Sequence, residues 1–91
     1  MTSTFQIIAE PARRALLDEL RNGPRPVGEL ARAAGLSQPN TSRHLRIMRE
    51  AGVVGCRVSG QQRLYELRAE GLAEVAGWLT PYVLLQQQSR R

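Results

Sequence analysis

Residue types that many functions require are scarce in this chain of 91 residues. It contains one Cys and one His, whereas a closed zinc site takes four nitrogen, sulfur or oxygen ligands, so we predict no metal site within the chain. A lone Cys also excludes an internal disulfide and suits a reducing cytoplasm, where we expect the protein to act. Aromatic residues make up 4% of the sequence, too few for a surface on which single-stranded bases stack.

Long apolar runs and catalytic motifs are also missing. No run of apolar residues approaches the length of a membrane span, and the first residues lack the pattern of a secretory signal. The chain has no nucleophile–base pair, no phosphate-binding glycine loop and no acidic pair suited to a catalytic cleft. We therefore predict neither a membrane protein nor an enzyme, and we expect no cofactor.

Positive charge is the clearest feature that is present. The formal net charge is +5 and the isoelectric point is about 11.0, which indicates a polyanionic partner. All 13 basic residues are Arg. Most of the net charge lies between Ser37 and Arg63, where five arginines stand against Glu50 alone. These arginines are Arg43, Arg46, Arg49, Arg57 and Arg63.

The stretch from Ser37 to Gly52 has the features of a DNA-recognition helix. Ser37 can accept a hydrogen bond from a free amide of the first turn, and Gly52 suits the position just after the helix. A thin buried stripe is predicted by helical spacing at Thr41, Leu45 and Met48. The remaining surface carries side chains of the types that read base edges or bind phosphates. These are Gln38, Asn40, Ser42, Arg43, Arg46 and Arg49, with Glu50 at the end.

Three helices are predicted before this one. The apolar spacing and the Pro and Gly positions give Thr4–Ala9, residues 11–21 and Val27–Ala34. Gly35 permits the left-handed turn that leads into the recognition helix. The connection of residues 35–37 has the length expected of a helix-turn-helix.

After Gly52 the apolar pattern alternates, which predicts two strands, residues 53–59 and 62–67. We expect Val54, Cys56 and Val58 to share one face, with Tyr65 and Leu67 packing inward. A hairpin directly after a recognition helix is typical of a wing, whose arginines can reach a minor groove or phosphates. The alternative is a solvated hairpin with incidental charges.

The last helix is predicted to begin near Ala69 or Glu70 and to be apolar on more than one face. A chain this small cannot bury so much apolar surface by itself, and a second copy of the chain is the simplest partner that would bury it. Pro81 is expected to kink or break the helix, and Thr80 is placed to cap a restart. Trp78 and Tyr82 would line either a dimer interface or an effector pocket between subunits.

The segment from Ile7 to Val54, IIAEPARRALLDELRNGPRPVGELARAAGLSQPNTSRHLRIMREAGVV, is followed by a hairpin that ends in RLYEL. It resembles the ArsR-type winged-helix repressors, and the resemblance extends from about Phe5 to Tyr82. The resemblance implies one winged helix-turn-helix domain over residues 1–91, mainly helical with a β-hairpin wing. The implied order is four helices, two strands and a last helix.

The same resemblance implies a homodimer that binds a near-palindromic operator in double-stranded DNA and blocks transcription, for example of its own operon. The helical regions 4–25 and 69–88 would join the subunits. The predicted interface residues are Phe5, Ile8, Leu72, Val75, Trp78, Leu79 and Tyr82. The predicted DNA-binding residues are Ser37, Gln38, Asn40, Thr41, Ser42, Arg43, His44 and Arg46, with Arg57, Gln61, Gln62 and Arg63 on the wing.

The chain departs from the metal-sensing members of this family. Those carry paired Cys on the third helix, or His and carboxylate ligands on the last. Here the third helix has no Cys, and the last has neither His nor Asp. The sequence therefore resembles the non-metal-sensing branch, and it does not identify an effector.

Several alternatives stay open on sequence alone. A winged helix can also dock onto another protein, and a docking surface is expected to expose apolar residues. The outer face of the recognition helix is polar, with Ile47 as its one apolar residue. Cys56 is either a redox sensor or a small core residue. His44 either contacts phosphate or packs beside Leu45 and Met48.

Overall fold

Two short helices begin the chain, and side chains bind both ends of the first. In the computed structural model, which describes residues 2–89, α1 spans Thr4–Ala9 and α2 spans Pro11–Leu20. Ser3 and Gln6 form a reciprocal capping box at the start of α1. Glu10 is extended between the helices, as the following Pro11 requires.

The end of α1 is bound by two adjacent arginines of α2. Arg13, which is buried, donates through Nε to the carbonyl of Ile7 (3.0 Å) and through Nη2 to that of Gln6 (2.9 Å). Arg14 donates through Nη1 to Ile8 (2.6 Å) and Ala9 (3.3 Å). The last four carbonyls of a helix lack internal partners, and here each one has a guanidinium donor.

A helix-turn-helix follows, as the sequence predicts. α3 spans Val27–Ala34 and ends at Gly35, whose φ of 68° is left-handed. α4 spans Gln38–Glu50, and the Ser37 hydroxyl accepts a hydrogen bond from the amide of Asn40 at 3.2 Å. The predicted cap at Ser37 and the glycine turn before it are therefore confirmed.

The two predicted strands form a hairpin around Gly60, with β2 at Val54–Ser59 and β3 at Gln62–Leu67. Val54 lies opposite Leu67, Cys56 opposite Tyr65, and Val58 opposite Arg63, so these residues share one face. That face is buried only at its base, because the tip extends beyond the core and leaves Val58 72% exposed.

The predicted order of elements omits one strand. Arg25–Pro26 forms a strand, β1, that pairs antiparallel with β3 and gives the sheet the order β1-β3-β2. Two residues are too few to show an alternating pattern, and Pro26 suits an edge strand because it has no amide to donate. The fold class is unaffected by this correction.

The C-terminal α-helix begins later than the sequence predicts and does not break at Pro81. A single 3₁₀ turn, Ala69–Leu72, leads into α5 at Ala73–Ser89, which continues without interruption through Pro81. Of the two alternatives at Pro81, a kink or a break with a restart capped by Thr80, the break does not occur, and the Thr80 hydroxyl donates to the carbonyl of Ala76 at 2.8 Å inside the helix. No helix in residues 2–89 is long and apolar enough to cross a membrane.

The core lies where the helices meet the base of the hairpin. Its fully buried side chains come from α1, α2, α3, α4 and the residue before β2. They are Ile7, Leu16, Leu30, Thr41, Leu45, Met48 and Val53. This packing holds α4 by its inner side and leaves its outer side to solvent.

One close backbone contact connects the two ends of the hairpin. Gly71, in the 3₁₀ turn, lies against the carbonyl group of Gly52, which has a φ of +81° at the end of α4. A Cβ at position 71 would overlap the Gly52 carbonyl and come within 2.9 Å of the Val53 Cα. Only glycine fits position 71 without backbone movement.

Candidate nucleic-acid interface

The outer side of α4 presents polar and positively charged side chains that are free to bind a ligand. Within the described range 2–89, only one of these side chains forms a hydrogen bond or an ion pair with another residue. The exception is Ser37, whose hydroxyl caps the helix. The exposed set contains Ser37, Gln38, Asn40, Ser42, Arg43, Arg46, Arg49 and Glu50.

Two residues predicted to bind DNA lie inside the subunit instead. Thr41 is fully buried, and its hydroxyl donates to the Ser37 carbonyl at 2.9 Å. His44 is 6% exposed. The reason is helical spacing: positions 41, 44, 45 and 48 lie on one face, which packs on the core. Both side chains are therefore covered by their own subunit and do not belong to the exposed set.

His44 is also electrostatically unfavourable as a cation. Burial lowers the pKa of His44 below the 6.5 usual for histidine, and the charges of Arg43 and Arg13 lower it further, against the opposite effect of Glu10. Its Nδ1 has no hydrogen-bond partner among the described residues. The neutral imidazole is therefore the form that the folded subunit accommodates.

We expect the stability of the protein to fall as the pH drops from about 7 to about 5. Unfolded chains take up a proton near the ordinary pKa of histidine, whereas folded His44 takes it up only at lower pH, so unfolding binds a proton in this range. The contribution of His44 to the slope is at most about 1.4 kcal/mol per pH unit.

Urea denaturation of the wild type and of His44→Met at several pH values measures this effect. All other titratable groups are present in both proteins, so the difference between the two curves reports on His44. The difference should be constant above about pH 7 and shift in favour of the variant below about pH 6.5. Parallel curves across the whole range would contradict the assignment.

The two wing arginines extend from opposite faces of the hairpin. Arg63 lies opposite Val58, whereas Arg57 lies opposite Leu64 on the other face. The Arg57 Nε is 3.7 Å from Oε2 of Glu66, and Arg63 has no ion pair within residues 2–89. Both arginines are exposed, and so are Gln61 and Gln62 at the tip. Arg63 is thus the freer of the two cations.

Glu66 was not predicted as part of this site. It sits opposite Gly55 and diagonal to Arg57, a pairing that follows once Gly60 fixes the register. An exposed pair of this kind contributes about 0–1 kcal/mol, so Glu66 restrains Arg57 without immobilising it.

The predicted dimer-forming residues are divided between interior and surface. Val75 is buried within the subunit, and Ile8 and Leu72 are half-buried. An apolar surface is left uncovered on α5 and α1. It contains Phe5, Trp78, Leu79, Tyr82, Val83, Leu84 and Leu85.

Aromatic contacts connect α1 to this surface. The Phe5 and Trp78 rings meet edge to face with centroids 6.1 Å apart, and Trp78 and Tyr82 are 4.9 Å apart. Trp78 remains 57% exposed despite both contacts. Isolated subunits would therefore present a contiguous apolar patch to water, which is typical of an interaction surface.

Cys56 and Ile47, two of the residues whose roles the sequence left open, are both partly buried. Cys56 is a free thiol, half-buried opposite Tyr65. Ile47 is half-buried against the core, so little of its apolar side chain is exposed on the outer side of α4. Within residues 2–89, no three His, Cys, Asp or Glu side chains gather where they could hold a metal ion.

Comparison with known proteins gives a family model that matches the helix-turn-helix region and relatives that cover most of the chain. A family model described as "Bacterial regulatory protein, arsR family" matches residues 10–55. The HTH-type transcriptional regulator Rv2034 of Mycobacterium tuberculosis is 42% identical over 69 residues, which cover 76% of this chain and 64% of that protein. The transcriptional repressor SdpR of Bacillus subtilis is 31% identical over 83 residues, 91% of this chain and 92% of the repressor.

The fold is similar to that of a solved domain. The solution NMR structure of the homodimeric winged helix-turn-helix DNA-binding domain of Mb0332 from Mycobacterium bovis matches with a TM-score of 0.72 and 25% identity. The match covers 96% of this chain and 80% of that domain. The predicted fold class, a winged helix-turn-helix with a β-hairpin wing, is confirmed. The chain spans less than two thirds of the mycobacterial regulator Rv2034 and almost all of the Bacillus repressor.

Proposed function

Because the chain belongs to the ArsR family of bacterial regulatory proteins, we propose that it represses transcription by binding double-stranded DNA as a two-fold dimer. In each subunit, α4 lies in the major groove, with its first two turns at the base edges. The bound dimer, acting in the cytoplasm, occludes the promoter that contains the operator.

The outer side of α4 carries this proposal. Its first two turns expose Gln38, Asn40, Ser42 and Arg43, and none of these side chains is bound by another described residue. Asn and Gln match the edge of adenine in the major groove, and Arg matches that of guanine. Arg46 and Arg49 continue the positive charge along the helix, where phosphates would lie.

The hairpin tip supplies the second contact in this proposal. Arg63, Gln61 and Gln62 bind the backbone or the minor groove beside the α4 contact. Arg57, on the opposite face and near Glu66, contributes mainly to the long-range attraction of the phosphates.

The apolar surface of α5 and α1 supports the dimer. Trp78, Leu79 and Tyr82 are at least 42% exposed, and the similar Mb0332 domain is homodimeric. A two-fold axis at this surface would hold two α4 helices in successive major grooves, about 34 Å apart. The operator would then be a near-palindrome.

Selection of bound sites from a random pool of duplex DNA tests the proposal directly. We expect an inverted repeat whose half-site centres are about 10 base pairs apart. If the purified protein prefers no duplex sequence over random competitor, even at low ionic strength, the proposal is wrong.

On the selected operator, Arg43→Ala should cost about 1–3 kcal/mol of binding free energy and relax the base preference at one position of each half-site. Arg49→Ala is the matched control, since it removes the same charge from the same helix beyond the first two turns. We expect it to weaken binding to all sequences without altering the preference. Competition binding against operators with single base changes distinguishes the two, and equal behaviour of the variants would assign Arg43 to phosphate.

A further inference from the structure

We propose that a groove between α1, α2 and the end of β3 binds a small anionic amphiphile, a carboxylate with an apolar tail. The groove has a volume of about 360 Å³, within the range of about 300–1,000 Å³ typical of small-molecule sites. It lies outside the DNA-facing side of α4 and outside the exposed apolar patch of α5.

The floor of the groove suits an apolar tail. Ile8, Leu17, Leu67 and Leu72 line it, and almost all of the surface it offers is apolar. Leu17 belongs to the buried core, and the other three are half-buried beside it. The tail would therefore cover apolar surface that the fold leaves in contact with water.

The rim of the groove suits an anionic head group. Arg14 lies on α2, and Arg21, seven positions later, is the residue that ends this helix; both border the groove, with Asp18 between them. Neither arginine has a carboxylate within 4.0 Å in residues 2–89. Arg14 is fixed by its bonds to the α1 carbonyls, whereas Arg21 is free to close on a head group. The rim therefore has a net positive charge.

The same charge argues against a second copy of the chain as the occupant. The α5 helix that extends from each subunit has no Asp or Glu after Glu74, so no acidic side chain of its later turns is available to Arg21. A free carboxylate can do so, with a charge-assisted hydrogen bond to the guanidinium.

The position of the groove gives such a ligand a regulatory effect, and this part rests on the proposed function. Ile8 and Leu72 border the surface proposed for the dimer, and Leu67 ends the wing strand β3. A ligand between them fixes the spacing of the dimer-forming helices and the wing. It therefore changes operator affinity if it binds the free and DNA-bound arrangements unequally.

Methyl NMR of the full chain, without DNA, tests the site with decanoate as the probe. We expect saturable shifts of the Ile8, Leu67 and Leu72 methyl groups, and at least about tenfold weaker binding of decanol and of acetate. Shifts confined to Leu84 and Leu85, or shifts that do not saturate, would overturn the proposal.

Three exposed positions then test the charge of the rim. Arg21→Ala should weaken decanoate binding about tenfold, and Asp18→Asn should strengthen it about threefold. Arg32→Ala, an exposed arginine of α3 outside the groove, should change it less than about twofold. Equal losses for Arg21→Ala and Arg32→Ala would overturn the proposal. Because these measurements omit DNA, a failure of operator binding would leave their result intact.

Discussion

Replacing both Leu79 and Tyr82 with Asp is expected to convert the protein to a monomer and to lower its operator affinity at least about 100-fold. Both side chains are exposed on the apolar face of α5, at 42% and 56%, so the subunit itself loses little packing. In the proposed dimer, however, four carboxylates would be buried in an apolar interface without cations to pair with. The second recognition helix would no longer be held near the first, and the advantage of simultaneous binding would be lost.

Sedimentation velocity at micromolar concentration and binding to the selected operator measure the two effects together. Gln88→Asp with Ser89→Asp is the matched control, because it adds the same charge to α5 without replacing apolar residues. Helical circular dichroism checks that the subunits remain folded. A variant that still sediments as a dimer would place the interface elsewhere, and a monomer with full operator affinity would remove the dimer from the mechanism.

A second large effect is expected from Gly71→Ala, which should lower the free energy of unfolding by about 2–3 kcal/mol. The new Cβ would overlap the Gly52 carbonyl, a backbone group with no rotamer into which it can move. Relief requires the 3₁₀ turn to shift away from the end of α4, which separates Leu72 from the core.

Gly28→Ala is the control for this substitution. A Cβ at position 28 meets only the end of the Arg32 side chain, at an ordinary 3.8 Å, and the position lies inside α3. Alanine should there be neutral or stabilising by up to about 1 kcal/mol. Urea denaturation at one protein concentration compares the variants, since dimer formation makes stability depend on concentration. Equal losses at positions 28 and 71 would contradict the close contact.

Local signals predicted the helix-turn-helix and the wing well, because each depends on residues close in sequence. Ser37 and Gly35 fix the start of α4 and the turn before it, and Gly60 fixes the register of the hairpin. The sequence pattern also indicated the buried stripe of Thr41, Leu45 and Met48. Thr41 and His44 are both among the predicted DNA-binding residues, yet both lie on the buried face of the helix.

Features that depend on distant partners were not predictable in this way. β1 exists because Arg25 and Pro26 meet β3 about 40 positions later in the chain, and two residues carry no periodic signal of their own. Arg13 and Arg14 look like solvated charges in the sequence, and only the packing angle between α1 and α2 brings them to the α1 carbonyls. The unbroken helix at Pro81 likewise shows that the surrounding turns tolerate one missing amide.

The arginine bonds at the end of α1 restrict how a subunit can move. A helix of six residues has almost no stability alone, so α1 depends on its capping box, on the buried Ile7 and on the bonds from Arg13 and Arg14. A hinge between α1 and α2 would have to break all four of these bonds together. If α1 is displaced at the proposed subunit boundary, these bonds would carry α2 with it, and α2 packs on α3, which in turn packs on the recognition helix α4.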